Sequence, residues 1–412
     1  MKTFMEPAKE IPVYGKYDTV VVGGGFAGIA AALAAARGGN KVLLCEKLFV
    51  LGGLGTAGLV TIYLPLCDGV GNQLSYSIAE ELLLRSIDDG WEAMYPQPWL
   101  EGGTKEEKSK LRYRVRYNAG ACIIAMEKLL LEAGVEILYG TSVCDVSVTD
   151  GEITHLLIEN KSGRSAVEVG NVIDCSGDAD VCVFAGEDTA MHGKGNVLAA
   201  WYYYNDETGN KLKMLGFADV PEGRSQKPAE DQKAIPYDTH YAGVDAKELS
   251  EFMIASHKAM YTSFLEGRPI SQTHMLTNYA TTPQVRMTRR LDGVTVLDKT
   301  KEYVRYEDSV GMFGNWKGTG LNNVHAGQRF ELPYSCLYGK KIKNLATAGR
   351  CISTTDEMWE YSRVIPVCSV SGEAAGTAAA LGKNFAEVDI KTLQAKLQEK
   401  GVLLHWEDYQ EK

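Results

Sequence analysis

No Cys-x-x-Cys pair occurs in this chain, and its nine cysteines are odd in number and scattered. That pattern excludes a disulfide scaffold and gives no zinc or iron–sulfur framework, so the thiols read as buried filler and no metal is expected. Basic charge is in short supply: 43 Lys and Arg stand against 53 Asp and Glu, a net charge of −10. With a pI of about 5.4, this argues against a nucleic-acid surface. No run of about 18 apolar residues exists, so no membrane span is expected. The opening MKTFMEPAKEIPVYGKYD lacks the apolar core of a signal peptide, which makes the cytoplasm the expected location. No second Gly-x-Gly-x-x-Gly stands between a strand and a helix (Gly53, Gly55 and Gly58 repeat only the spacing), which disfavours a dedicated nicotinamide domain. Apolar residues make up 45% and charged residues 23%, enough for a sizeable core in two or three structural units.

Glycine is plentiful, and its placement between Tyr17 and Glu46 organises the rest. Thr19 to Val22 reads as a strand, Gly23-x-Gly25-x-x-Gly28 as a turn, the Ala-rich run to Arg37 as a helix, and Lys41 to Cys45 as a second strand ending on Glu46. Each part suits a dinucleotide. Gly23 permits the tight turn, Gly25 lets backbone approach a pyrophosphate, and Gly28 lets the helix lie close on the sheet. The helix N-terminus offers unpaired N–H groups to phosphate, and Glu46 is placed to accept from a ribose. An ordinary glycine turn is the bland alternative, and the joint occurrence of strand, turn, helix, strand and terminal acid argues against it. A second cluster, Gly52-Gly53-Leu54-Gly55-Thr56, would let backbone press on a large flat ring.

Further along, 1–16 reads as an N-terminal arm broken by Pro7 and Pro12, and 75–88 as a helix. Residues 111–117 read as a half-exposed strand with Arg112, Arg114 and Arg116 on a solvated face, an anion site being the lesser alternative. A helix over 118–133 capped by Gly134, a strand over 135–139, and a hairpin around Asp150-Gly151 follow. A strand over 167–174 leads into Cys175-Ser176-Gly177-Asp178. From about 191 to 335 the character changes. Aromatics cluster at Trp201 to Tyr204, prolines interrupt, a helix is expected over 246–265, and 310–332 reads as a loop. Residues 344–350, a short strand ending in Ala348-Gly349, and a small-residue helix over 371–381 restore the first pattern. The expected units are therefore an arm (1–16), a dinucleotide domain in two parts (17–190 and 336–412), and an inserted domain (191–335).

The acid-to-Gly-Gly segment after Glu46, the stretch PQVRMTRRLDG, and IKNLATAGRCIST followed by SRVIPVCSVSGEAAGTAAAL resemble a bacterial family of FAD-dependent oxidoreductases. That family is related to the flavoprotein subunits of fumarate reductase and succinate dehydrogenase. The resemblance implies an α/β fold: a Rossmann-like FAD-binding domain with a glutathione-reductase-type parallel sheet and an inserted α+β substrate or cap domain. It implies FAD held without a covalent bond by Gly23, Gly25, Gly28, Glu46, Lys47, Gly52, Gly53 and Thr56. From the later segments it adds Val143, Ser176, Gly177, Gly349, Arg350, Ala375 and Gly376. No histidine lies between Gly52 and Gly58, so the His-linked flavin of some relatives has no obvious attachment point. Where the family often has a His-Glu pair, this chain reads Thr355-Asp356-Glu357, which leaves Asp356 or Glu357 as a replacement acid or base.

A flavin supplies the redox chemistry, and the protein must bring cations that polarise a carbonyl or carboxylate and one acid or base. Arg286, Arg289, Arg290, His325 and Arg363 are the candidates. Carboxylate pairing is the plain alternative for the arginines, and a solvated loop histidine for His325. The expected activity is hydride transfer between flavin N5 and a small organic substrate. The electron partner (small protein, quinone or oxygen) and the oligomeric state stay open. A non-catalytic flavin-binding or assembly subunit is the alternative, and an RNA-modifying enzyme is disfavoured by the acidic pI.

Overall fold

A computed structural model describes residues 3–193, 195–216, 239–293, 295, 298, 300–316 and 326–410. The opening segment folds as read: β1 (Val13–Val22), α1 (Phe26–Arg37) and β2 (Val42–Cys45). Next come α2 (Ala119–Glu132), β3 (Glu136–Leu138), β4 (Ser142–Thr149), β5 (Glu152–Asn160) and β6 (Gly163–Asp174). The chain returns much later with β7 (Leu345–Thr347) and α3 (Ile365–Ala379). The parallel strands lie in the order β3-β2-β1-β6-β7. β4 and β5 form an antiparallel meander that feeds the first half of β6. Asp150 and Gly151, both at positive φ (52° and 77°), make the hairpin turn between them.

Register explains why these strands read as continuous apolar runs. Val21 pairs with Leu44 and with Ile173, and Ile173 with Ala346; all four belong to the core under α1 and α3. Their neighbours Val22, Cys45, Val172 and Leu345 belong to a second core on the opposite face. A sheet buried on both faces has no polar alternation to show. α3 starts at Ile365, six residues before the small-residue run, because Pro366 is tolerated in a first helical turn.

Strands Ala199–Asp206, Gly209–Gly216 and Leu276–Tyr279 form a three-stranded antiparallel sheet. It packs with helix Ala246–Met260 around a separate core that includes Tyr202, Phe252 and Phe264. The chain enters and leaves this region through Thr189–Met191 and Arg289–Leu291, which pair as an antiparallel ribbon.

Two expectations change. The 310–332 segment is not a loop throughout: Ser309–Gly314 pairs with Arg329–Pro333, and Val310, Phe313, Phe330 and Leu332 join the α1/α3 core. Residues 317–325, with His325, lie outside the described residues. Of the expected strand over 111–117 only Val115–Tyr117 is extended. Arg112 is not on a solvated face: it is 6% exposed, and burial lowers its pKa. Among the described residues no helix is long and apolar enough to cross a membrane.

One buried acid on α3 makes stability depend on pH. Glu373 is 2% exposed; it accepts from Ser77 Oγ at 2.6 Å and from the Ile78 N–H at 3.2 Å. Burial pushes its carboxyl up to about 7. A raised acid favours the protonated fold, so its contribution is complete below about 4.5 and is lost as pH rises through about 7. At about 1.4 kcal/mol per pH unit the loss is on the order of 3 kcal/mol. Glu373→Gln is expected to raise the urea midpoint at pH 8 well above wild type and to change it little at pH 5; equal shifts at both would show that the acid does not titrate in this range.

Candidate active site

A cleft opens along the carboxyl ends of the parallel strands, bordered by Val22, Cys45, Cys175 and Ala348 from the ends of β1, β2, β6 and β7. This edge is where ligands bind in open α/β sheets. Thr282, Pro283 and Val285 of the inserted region line it too, with Gly243 and Leu249.

The glycine turn is built for close approach. Gly23 has φ +100°, and a Cβ there would stand 2.4 Å from the Cys175 carbonyl oxygen. At Gly25 a Cβ would meet nothing within 4 Å, so the backbone faces open cleft. Gly25 is also the N-cap of α1; no side chain caps that end and its first turn carries no acid. Unpaired N–H groups at a positive helix end therefore border the space. The second glycine cluster docks on the first: the Gly52 N–H donates to Gly24 O at 2.8 Å, and Gly25 and Gly52 form a parallel bridge. Glu46 fastens the turn, accepting from the Gly24 N–H at 2.6 Å and the Leu48 N–H at 2.8 Å while lining the cleft.

Asp174 organises the opposite wall, a role the sequence reading missed. Fully buried, it accepts from Ser176 N–H and Oγ through one oxygen, and from Val181 and Cys182 N–H through the other. Burial pushes its carboxyl up, against these hydrogen bonds. Asp180, also on the cleft, is pushed up to about 6 by burial and then by Asp174 and Asp178. Arg350 donates to Asp178 Oδ1 at 3.2 Å and to the carbonyls of Val285 and Arg286 at 3.0 and 2.9 Å. It thereby straps the inserted region to the wall.

The far end is apolar, with Leu54, Val285, Ile365 and Cys368, and Arg363 brings a positive charge to it. Ile365 begins α3, whose N-cap Val364 makes no side-chain cap. The Cys368 thiol donates to Arg363 O at 3.2 Å, and burial pushes it up to about 12, so it is neutral.

Of the residues expected to hold the cofactor, Gly23, Gly25, Glu46, Lys47, Gly52 and Gly53 line the cleft, as do Val143, Ser176, Gly177, Gly349 and Arg350. Four do not. A Cβ on Gly28 would stand 1.8 Å from Gly23 O, so Gly28 serves helix-on-sheet packing. Thr56 turns inward and its hydroxyl donates to Leu51 O. Ala375 and Gly376 lie within α3, buried against α1. Among the catalytic candidates Arg363 reaches the cleft. Arg289 is taken up by Asp178 O and Asp180 Oδ1 at 2.7 and 2.6 Å, and Arg286 is buried off the lining.

A parallel sheet, a glycine turn at an uncapped helix end and an acid closing the second strand define a dinucleotide-binding flavoprotein fold, and the cradle at Gly25 fits such a cofactor. The chain belongs to the FAD dependent oxidoreductase family, whose model matches residues 18–199 and 205–397, and it is an FAD-dependent oxidoreductase. A thioredoxin reductase of Ureaplasma parvum serovar 3 is 36% identical over 77 residues, which is 19% of this chain and only 25% of that protein. A geranylgeranyl bacteriochlorophyll reductase-like structure from Thermoplasma acidophilum is 14% identical, with a TM-score of 0.44 over 93% of this chain and 83% of that one. The anhydrotetracycline hydroxylase OxyS of Streptomyces rimosus is 12% identical, with a TM-score of 0.44 over 93% and 65%.

Proposed function

We propose that this protein moves a hydride between a small organic substrate and N5 of a non-covalently held FAD. Glu46, Lys47 and Val143 would hold the adenosine end; Gly25, Ser176 and Gly177 the pyrophosphate; Gly52 and Gly53 the approach to the ring. The FAD supplies the electron acceptor when bound. The observation that carries the reading is the pairing of Arg363 with the uncapped start of α3 at the apolar end of the cleft. A cation beside unpaired N–H groups stabilises negative charge that builds where a hydride arrives. Arg363 takes the catalytic role; Arg289, held by Asp178 and Asp180 of the cleft wall, braces the inserted region. Dithiol exchange has little support: no Cys-x-x-Cys exists, and burial raises the thiols of both Cys175 and Cys368 on the cleft. Nine free cysteines, eight of them buried, suit a reducing cytoplasm. Kinship with the fumarate reductase and succinate dehydrogenase flavoproteins rests on the segment from Glu46 to Gly53.

The visible spectrum of the purified protein before and after acid precipitation tests this. The expected result is a yellow protein whose colour passes to the supernatant as FAD, and whose flavin is bleached anaerobically by at least one member of a panel of hydroxy acids, sugar derivatives and saturated acids. Colour retained in the pellet would overturn the non-covalent reading. A tightly held flavin that no member reduces would favour a non-catalytic subunit.

A further inference from the structure

Besides Glu46, two carboxylates border the stretch of cleft assigned above to the pyrophosphate, where a negative wall is unexpected. Asp178 and Asp180 line it together with Ser176, Gly177 and Lys47. Asp178 is occupied: its Oδ1 accepts from the Thr288 hydroxyl and from Arg350 Nη2 at 3.2 Å. Asp180 is only half occupied. Arg289 Nη2 donates to its Oδ1 at 2.6 Å, and its Oδ2 accepts from none of the described residues. The Asp180 N–H donates to the Ser176 hydroxyl at 3.0 Å, which fixes the residue beside Gly177. Its side chain is 39% exposed, so a ligand in the cleft reaches the carboxyl directly. Burial, and then Asp174 from the end of β6 and Asp178 from the turn, push that carboxyl up; Arg289 from the strand leaving the inserted region and Lys47 from beyond β2 oppose them. The balance leaves it at about 6, well above the usual carboxylate range. Arg290, next along the same strand, is paired with Asp356 at 3.0 Å instead.

We propose that Asp180 is a diphosphate-binding residue that takes up one proton as FAD enters, so that the cofactor is held through a carboxylic acid hydroxyl as well as through backbone N–H groups. This rests on the placement of FAD given above. A carboxylate and a phosphate oxygen at hydrogen-bond distance repel unless a proton comes between them. The phosphodiester groups of FAD are strong acids and keep their charges, so the proton settles on Asp180, the stronger base. It comes from solvent, and no other bond is made or broken. Oδ2–H then donates to a phosphate oxygen, a short and strong contact because the acceptor is charged, while Oδ1 keeps accepting from Arg289. Asp178, already held by Arg350 and Thr288, keeps its charge and straps the inserted region. The sign of the pH dependence follows. Bound diphosphate raises the Asp180 carboxyl further, so affinity is complete below the value in the empty cleft, about 6, and is lost as pH rises through and beyond it.

The test is calorimetric titration of the flavin-free, full-length chain with FAD at pH 7 in two buffers of different ionisation enthalpy, together with FAD dissociation constants from pH 5.5 to 8. The difference in heat between the buffers counts protons. The wild type is expected to take up most of one proton per FAD, with affinity falling by up to about tenfold per pH unit above about 6. Asp180→Asn keeps the size of the side chain and supplies an N–H donor. It is expected to take up no proton, to hold a flat affinity across the range, and to bind FAD at least about tenfold more tightly than wild type at pH 8. Wild-type binding without proton uptake would overturn the proposal, as would uptake that persists in Asp180→Asn. Affinity that rises with pH would show an ionised Asp180 accepting from a sugar hydroxyl, and would overturn it too. The proton count of the wild type needs no variant, so a misfolded Asp180→Asn leaves the proposal open to refutation. A wild type that binds no FAD at any pH would sink the functional reading itself, a separate outcome from tight binding that ignores protons.

Discussion

Gly25→Val is expected to give a folded, colourless protein. Gly25 sits at φ −67° and ψ 175°, extended backbone that any residue adopts, and a Cβ there touches nothing within 4 Å. The fold therefore loses little. The space that a valine side chain enters is the one the proposed site gives to the pyrophosphate, so phosphate oxygens and the uncapped N–H groups of α1 would be pushed apart. FAD affinity is expected to fall by at least about 100-fold, which is about 2.8 kcal/mol at about 1.4 kcal/mol per tenfold. Gly28→Val is the contrast. Its Cβ would lie 1.8 Å from Gly23 O, so this variant is expected to lose the fold and the flavin together. Fluorescence titration with FAD and thermal unfolding on both proteins separate the two outcomes. A yellow Gly25→Val protein with native affinity would mean that the pyrophosphate lies elsewhere.

The two glycines differ in a way their spacing does not reveal. The motif from Gly23 to Gly28 was legible because a short-range pattern encodes it: a strand, a tight turn and a helix need particular residues at particular separations. The sheet was legible for a similar reason, since strands buried on both faces are continuous apolar runs. What stayed hidden depends on partners far away in sequence. Arg289 and Arg350 look alike as isolated cations, and only the fold shows one given to Asp178 and Asp180 and the other strapped across Asp178 and the Val285 carbonyl. Asp174 reads as the last residue of a strand, and its four acceptor contacts appear only when the following turn folds back over it. Residues 310–332 read as a loop because their glycines and asparagines mask two short strands. Arg112 reads as a surface cation only if the alternation continues past the end of a three-residue strand, which it does not.

Gly376 carries the same lesson into a stability measurement. The resemblance assigns it to FAD, whereas in the fold it is the point where α3 lies on α1. A Cβ at Gly376 would come within 2.2 Å of Ala31 O and 2.8 Å of Ala34 Cβ, and Gly372 one turn earlier meets Ala27 O at 2.2 Å. These contacts are with backbone and a short side chain, so nothing flexible can yield and the helices must separate. Overpacking of this kind costs about 1–3 kcal/mol and sometimes more, against about 1 kcal/mol returned by replacing glycine inside a helix. Strain wins, because separating α1 from α3 also loosens the core that buries α1 from Phe26 to Ala35. Gly376→Ala is therefore expected to lower stability by about 2 kcal/mol or more in urea unfolding, with one FAD still bound per folded chain. The flavin site is reached through the start of α3 at Ile365 and Cys368, more than a turn from Gly376, so its affinity for the folded fraction is expected to stay within about threefold of wild type, under about 0.7 kcal/mol. A variant of native stability that has lost its flavin would return Gly376 to the cofactor site and remove the packing account.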